Sequence, residues 1–227
     1  YVVSYYGILK AGAVVTAASP LFKEMELTYQ LSDSGAVAMI TTDRLYPIVR
    51  NAREKTRLRE ALVIGDGTSE GTIPFTSLLV TRKETSPGLD LEPKDGTAVL
   101  QYTGGTTGLP KGAIMTHYNL VSNAIQNARW FGWSCDDVIM VVLPLCHTWG
   151  TCTCINSPVY AGATSVLMSS FDPEEALFLI EKERATVLYG STTMFNILVN
   201  CPAMRERDLG SLRLAKAGAM PIPEEVK

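Results

Sequence analysis

Gln101-Tyr-Thr-Gly-Gly-Thr-Thr-Gly-Leu-Pro-Lys-Gly112 is preceded by the apolar run Ala98-Val-Leu100 and followed by Ala113-Ile-Met115. The stretch reads as a strand, a Gly/Thr-rich loop and a second strand. Its glycines, Gly104, Gly105, Gly108 and Gly112, let backbone approach a ligand closely. Thr103, Thr106 and Thr107 add hydroxyl and amide donors, and Lys111 adds a positive charge. A loop of this composition is suited to a polyphosphate. It is not the P-loop of the common ATPases, which needs Gly-Lys-Ser/Thr opening a helix, because here Lys111 lies between Pro110 and Gly112.

Outward from this loop the chain alternates helix and strand. Residues 1–12 read as a helix closed by Gly12, with a short buried strand over 13–18. Residues 23–34 repeat helical spacing through Met25, Leu27 and Leu31, close at Gly35 and lead into a strand over 36–40. A helix over about 46–56 and a strand over 61–64 follow, and residues 65–97, punctuated by Gly and Pro, read as a connector. Beyond the loop the pattern gives a helix over 117–129 capped by Thr116, then strands over 138–143 and 163–168. Asp172-Pro-Glu-Glu175 starts a helix to about Arg184, followed by a strand at 186–189, a helix at 193–199 and a strand at 212–217. The expected fold is α/β: largely parallel sheets layered between helices on both faces.

Composition narrows the function classes. With 227 residues, 46% hydrophobic and 19% charged, the chain can bury a substantial core. A net charge of −3 gives no electrostatic footprint for nucleic acid or an anionic membrane. No apolar run reaches the ~18 residues of a membrane helix. Five cysteines (Cys135, Cys146, Cys152, Cys154 and Cys201) lack the paired spacing of a zinc site, so no metal ligand is assigned and a reducing, cytoplasmic setting is expected. Cys152 and Cys154 read as small buried hydrophobes.

The loop resembles the signature of the acyl-adenylate-forming superfamily of AMP-dependent synthetases and ligases. Eight positions agree: Thr103, Gly105, Thr106, Thr107, Gly108, Pro110, Lys111 and Gly112. Leu9-Lys-Ala-Gly-Ala13, Leu143-Pro-Leu-Cys-His-Thr-Trp-Gly150, Phe171-Asp-Pro-Glu-Glu-Ala176 and Leu212-Arg-Leu-Ala-Lys-Ala-Gly-Ala-Met-Pro221 resemble further family landmarks, in the same order. The chain is most similar to the large N-terminal domain of acyl-CoA synthetases. It departs at Gly104, where relatives commonly carry Ser or Thr, at Ser170, where CoA ligases often carry Lys or Arg, and at Ala217 and Met220, which replace the usual Ser and Ala.

What the resemblance implies is a two-step reaction: ATP and Mg2+ activate a carboxylic acid, fatty or aryl, to acyl-AMP with release of pyrophosphate, and CoA then takes the acyl group as a thioester. It implies nucleotide contacts from Thr103, Gly104, Gly105, Thr106, Thr107, Gly108 and Lys111, and an acyl pocket at His147, Trp149, Gly218, Ala219 and Met220, with Thr192 and Met194 beside it. Lys111 and His147 are the expected catalytic groups. Two alternatives stand beside this reading: an adenylation domain loading a carrier-protein thiol, and a nucleotide-binding module without catalysis. Residues 1–94 are read as a first lobe with its linker and 95–227 as the phosphate-loop and acyl-pocket lobe, the adenine, ribose and metal contacts and a mobile C-terminal domain being expected beyond residue 227. Such a piece alone is expected to make no acyl-CoA.

Overall fold

The computed structural model describes all residues except 67–69, 81–87, 105–107, 219 and 222–227. They form two compact units, Tyr1–His117 and Tyr118–Lys227.

The first unit is built around helix α2 (Glu24–Ser34) and a parallel sheet. Helix α1 (Val2–Lys10) precedes it. Strand β1 (Ala38–Thr42), helix α3 (Tyr46–Arg53) and strand β2 (Glu60–Ile64) follow, β1 and β2 pairing in parallel from Ala38↔Glu60 to Thr42↔Ile64. Leu27 and Leu31 of α2 pack with Tyr46, Val49 and Ala52 of α3 and with Ala61 and Val63 of β2, all buried. Gly35 ends α2 at φ 65°, the left-handed turn that lets the chain drop from helix into strand. The stretch read as a connector holds two short elements, β3 (Ile73–Pro74), added in parallel to β2, and α4 (Phe75–Val80).

Strand β4 (Thr97–Thr103) and strand β5 (Lys111–Thr116) form an antiparallel hairpin in this unit, with a bulge between Thr97 and Val99. The strand expected over 13–18 is reduced to one parallel bridge, Val15 with Val99. Val15 N–H donates to Ala98 O at 2.9 Å and Leu100 N–H to Val15 O at 2.8 Å. The pairing stops there because the turn at Gly12 (φ 75°) lies just ahead of it and the Gln30 side chain takes the Ala17 carbonyl at 3.1 Å.

The second unit is a four-stranded, wholly parallel sheet in the order β7-β6-β8-β9. Helix α5 (His117–Trp130), strand β6 (Val138–Val141), helix α6 (Thr148–Thr151), a π turn (Cys152–Asn156), helix α7 (Ser157–Ala161) and strand β7 (Thr164–Leu167) come first. Helix α8 (Pro173–Lys182), strand β8 (Val187–Ser191), helix α9 (Thr192–Val199) and strand β9 (Leu214–Gly218) complete it. Both faces are covered, which is why β6 reads as an unbroken apolar run. Met140 and Val142 face a core with Leu177 and Ile180 of α8, whereas Ile139, Val141 and Leu143 face Ala128 of α5, Trp133 and Cys154. Asp172 caps α8 as expected, its Oδ1 accepting from Glu175 N–H at 2.9 Å.

The helical segment from Thr148 to Ala161 has no apolar periodicity to announce it. Its Thr, Ser and Cys residues are poor helix formers that bond back to their own backbone: Thr153 Oγ1 donates to Trp149 O at 2.5 Å and Ser157 Oγ to Cys152 O at 2.8 Å. Pro158 has no N–H to give to Cys154 O four residues earlier, and the Ser165 hydroxyl serves that carbonyl instead, at 3.0 Å. The widened π turn lies directly ahead of this proline.

Candidate functional site

In the first unit the hairpin presents its loop between Thr103 and Lys111, which are the last paired residues of β4 and β5. The preceding pair is Tyr102 and Gly112, and a side-chain carbon on Gly112 would lie 3.2 Å from the Tyr102 ring. The Tyr102 ring thus lies close over the Gly112 backbone. Gly104 and Gly108 are exposed, with nothing within 4 Å of the place a Cβ would take and a backbone outside the left-handed region. Lys111 is exposed, and among the described residues its ammonium takes part in no ion pair. Gly105, Thr106 and Thr107 lie outside the described residues.

Three residues at the base of this loop escape a motif search. Tyr29 Oη donates to the Pro110 carbonyl at 2.8 Å, and Tyr102 Oη donates to Asp33 Oδ2 at 2.5 Å. Burial, together with the Asp33 carboxylate, pushes the Tyr102 phenol pKa up, so it remains a donor at neutral pH. The sequence signal was present only as the spacing of Tyr29 and Asp33, one helical turn apart.

In the second unit the site forms at the carboxyl ends of the parallel strands. After β6 the chain crosses to β7 on one side, and after β8 it crosses to β9 on the other. In open parallel sheets the loops leaving two such neighbouring strands diverge and leave a ligand crevice. The segment after β6 carries His147 and Trp149, β8 runs into Ser191 and Thr192, and β9 ends at Gly218.

His147 is the exposed N-cap of α6, its Nδ1 accepting from Trp149 N–H at 3.2 Å. A neutral imidazole so bonded carries its proton on Nε2. Gly150 lets α6 fold back onto the preceding chain, since a Cβ there would collide with the Pro144 carbonyl. Thr151 Oγ1 bonds Leu145 O and braces the same turn.

Trp149 and Gly218 are in direct apposition: a Cβ on Gly218 would sit 2.8 Å from Trp149 Cη2. Trp149 also stands edge-on to Tyr189, with ring centroids 6.4 Å apart at 87°. Phe131 and Trp133 meet Tyr189 at 6.3 and 5.8 Å, so an aromatic wall backs this end of the sheet. The Tyr189 hydroxyl is fully buried with no hydrogen-bond partner among the described residues, and burial pushes its pKa up. Lys216 lies over Phe131, its ammonium 4.2 Å from the ring centroid.

Met220 is 54% exposed, and its carbonyl accepts from Thr192 Oγ1 at 3.1 Å, which ties the segment after β9 to the start of α9. Met194 packs into both cores of this unit. Ala219 lies outside the described residues. The expected residues His147, Trp149, Gly218, Met220 and Thr192 thus cluster at one end of one sheet, while Thr103 and Lys111 close the hairpin of the other unit.

An ion pair between buried Asp137 and partly exposed Arg213 holds the opposite end of the second sheet. Arg213 Nε and Nη2 donate to Asp137 Oδ1 and Oδ2 at 2.8 and 2.7 Å. Thr186 Oγ1 and Ser134 N–H complete the carboxylate shell at 2.6 and 3.0 Å. The Arg213 bonds chiefly, against the opposing effect of burial, hold the Asp137 pKa at about 2. Among the described residues no group of three His, Cys, Asp or Glu side chains converges as a metal ligand set. No disulfide joins the cysteines, and Cys152 and Cys154 are buried as expected. No helix among the described residues is long and apolar enough to cross a membrane.

The chain resembles known proteins along its whole length. It is 30% identical to the long-chain-fatty-acid–CoA ligase of Bacillus subtilis over 258 residues, covering 100% of this chain and 45% of the relative. It is 33% identical to 4-coumarate–CoA ligase 3 of Arabidopsis thaliana over 235 residues, covering 100% of this chain and 41% of the relative. Among solved structures, the long-chain-fatty-acid-CoA ligase FadD1 from Archaeoglobus fulgidus superposes with a TM-score of 0.89 at 29% identity, over 100% of this chain and 45% of that one. ATP-bound MatB from Rhodopseudomonas palustris superposes with a TM-score of 0.85 at 27% identity, over 99% of this chain and 43% of that one. The chain therefore spans a little under half the length of these relatives. The family model for AMP-binding enzymes matches residues 1–227, and the chain belongs to that family.

Proposed function

We propose that the protein containing this chain activates a carboxylic acid with ATP, forming acyl-AMP and pyrophosphate, and passes the acyl group to CoA. The observation that carries the reading is the β4–β5 hairpin, which brings Thr103 and Lys111 to the two ends of a Gly/Thr loop in a chain of the AMP-binding family. A relative of 27% identity has been solved with ATP bound, which supports ATP as the nucleotide. The names of the relatives, fatty-acyl– and coumarate–CoA ligases, favour CoA over a carrier-protein thiol and a fatty or aryl acid as substrate.

The chemistry asked of the loop is electrostatic. When the carboxylate attacks the α-phosphorus, negative charge grows on the departing pyrophosphate. Lys111 and Thr103, at the two ends of the loop, meet that charge, and the sequence assigns Thr106, Thr107 and the backbone N–H groups of Gly104, Gly105 and Gly108 to the same task. Mg2+ would add charge neutralisation through the phosphates. The apolar, aromatic end of the second sheet suits the carbon skeleton of the acid. There Trp149, Gly218 and Met220 form its wall, and the Nε2–H of His147 serves as a donor. Five thiols without a disulfide suit a reducing, cytoplasmic setting.

The test is acid-dependent exchange of pyrophosphate into ATP by the complete protein, with fatty and aryl acids compared. Lys111→Ala should slow exchange by about 10²- to 10³-fold, the scale of removing one group that faces developing charge. Unchanged exchange in that variant would overturn the assignment of the loop.

A further inference from the structure

Helix α2 holds the phosphate hairpin through two residues of one face and the segment beside it through a third. Tyr29 and Asp33 stand at i and i+4, so their side chains leave the helix on the same side, with Gln30 next to them along the helix. Tyr29 holds the carbonyl of Pro110 at 2.8 Å, the peptide that leads directly into Lys111. Asp33 holds the hydroxyl of Tyr102 at 2.5 Å, the residue directly before Thr103. Gln30 Nε2 donates to Thr16 Oγ1 at 2.9 Å and to Ala17 O at 3.1 Å, and the adjoining Val15 is bridged to β4. Both legs of the loop, and the segment that pairs beside them, are thereby fastened to one helix. That helix is itself locked into the core through Leu27 and Leu31.

A two-stranded hairpin is marginal by itself, so the ends of β4 and β5 need an external reference to keep their donors in place. Fixed donors are what stabilise a charge that appears only during the reaction. From this geometry we infer that Tyr29, Asp33 and Tyr102 are positioning residues for nucleotide phosphate: they set the placement of Thr103 and Lys111 without touching the ligand. The inference rests on the reading of the hairpin as the phosphate grip. The hydroxyl-to-carboxylate bond of Tyr102 with Asp33 is charge-assisted and short, which suits it to fixing a distance.

The experiment uses the complete protein and measures pyrophosphate exchange, with separate KM values for MgATP and for the acid, beside melting temperatures. Tyr29→Phe and Asp33→Ala should each raise KM for MgATP by about three- to tenfold, with KM for the acid unchanged and melting nearly so. Asp33→Asn, whose amide oxygen still accepts from Tyr102, should recover most of the loss. Tyr102→Phe added to Asp33→Ala should change nothing further, because the two share one bond. A rise of both KM values together, with a large drop in melting temperature, would reduce these residues to general structure and overturn the proposal. So would an unaltered KM for MgATP in the Tyr29→Phe/Asp33→Ala double variant while Lys111→Ala is inactive. Full activity of Lys111→Ala would instead bring down the phosphate reading itself, which keeps the two failures apart.

Discussion

Replacing Gly218 by Ala tests the proposed acyl end of the site most directly. The new methyl carbon would stand 2.8 Å from Trp149 Cη2, 3.2 Å from Cζ2 and 3.4 Å from Cζ3, where relaxed carbon contacts need about 3.5 to 4.0 Å. The indole, or the end of β9, must therefore give way by about 0.7 Å or more. Neither has an easy path. The Trp149 ring is flanked by Tyr189, the Trp149 backbone N–H donates to His147 Nδ1 and the Trp149 backbone carbonyl accepts from Thr153 Oγ1, while β9 is paired in register with β8 through Ser191↔Gly218. Overpacking of this kind costs about 1–3 kcal/mol, and the double constraint puts the expected loss near 2 kcal/mol. Denaturant unfolding of the purified chain reads that loss, and the KM for the acid in the complete protein reads the accompanying displacement of the pocket wall. Adding Trp149→Phe removes the clashing benzo ring, so the double variant should be more stable than the sum of the single changes by about 1 kcal/mol or more. Strict additivity, or a Gly218→Ala protein as stable as the parent, would refute the contact as the reason for the glycine.

Gly104→Ser should fold normally and keep or tighten MgATP binding, because the backbone there needs no left-handed conformation and the site is open; a loss of nucleotide binding in calorimetry would show otherwise. Tyr189→Phe should leave stability unchanged or raise it by about 1 kcal/mol, since it deletes a buried hydroxyl without a described partner and keeps the ring contacts; a clear destabilisation would mean the hydroxyl is bonded. The Asp137 carboxylate has a folded-state pKa of about 2, below its value of 3.8 in an ordinary setting. Its ion pair therefore contributes fully above about pH 4 and is lost as pH falls through 2, a contribution of about 2 kcal/mol. Urea midpoints measured between pH 5 and pH 2 should fall in the parent and fall less in Asp137→Asn; parallel profiles would show that the pair does not carry acid sensitivity.

The sequence determined the α/β class, most of the elements and the strand–loop–strand hairpin at residues 97–116. Apolar runs such as Val138–Leu143, the cap at Asp172 and the glycine stop at Gly35 act through local backbone and burial rules that one strand of text displays. Motif spacing also located His147, Trp149 and Gly218. Their meeting was decided by tertiary structure, because the apposition of Trp149 on Gly218 depends on β6 and β9, which flank β8 in one parallel sheet, ending at the same edge. The same holds for the hold of α2 on the loop: the Tyr29–Pro110 bond spans 81 residues and Tyr102–Asp33 spans 69, distances over which no periodicity or local propensity carries information. The helical run from Thr148 to Ala161 was invisible for a related reason. Its poor helix formers are held by packing and by hydroxyl bonds such as Ser165 to Cys154 O, which exist only once β7 lies beside them. Local physics writes strands, caps and turns into the order of residues, whereas contacts between distant segments are fixed only when the folded core brings their surfaces together.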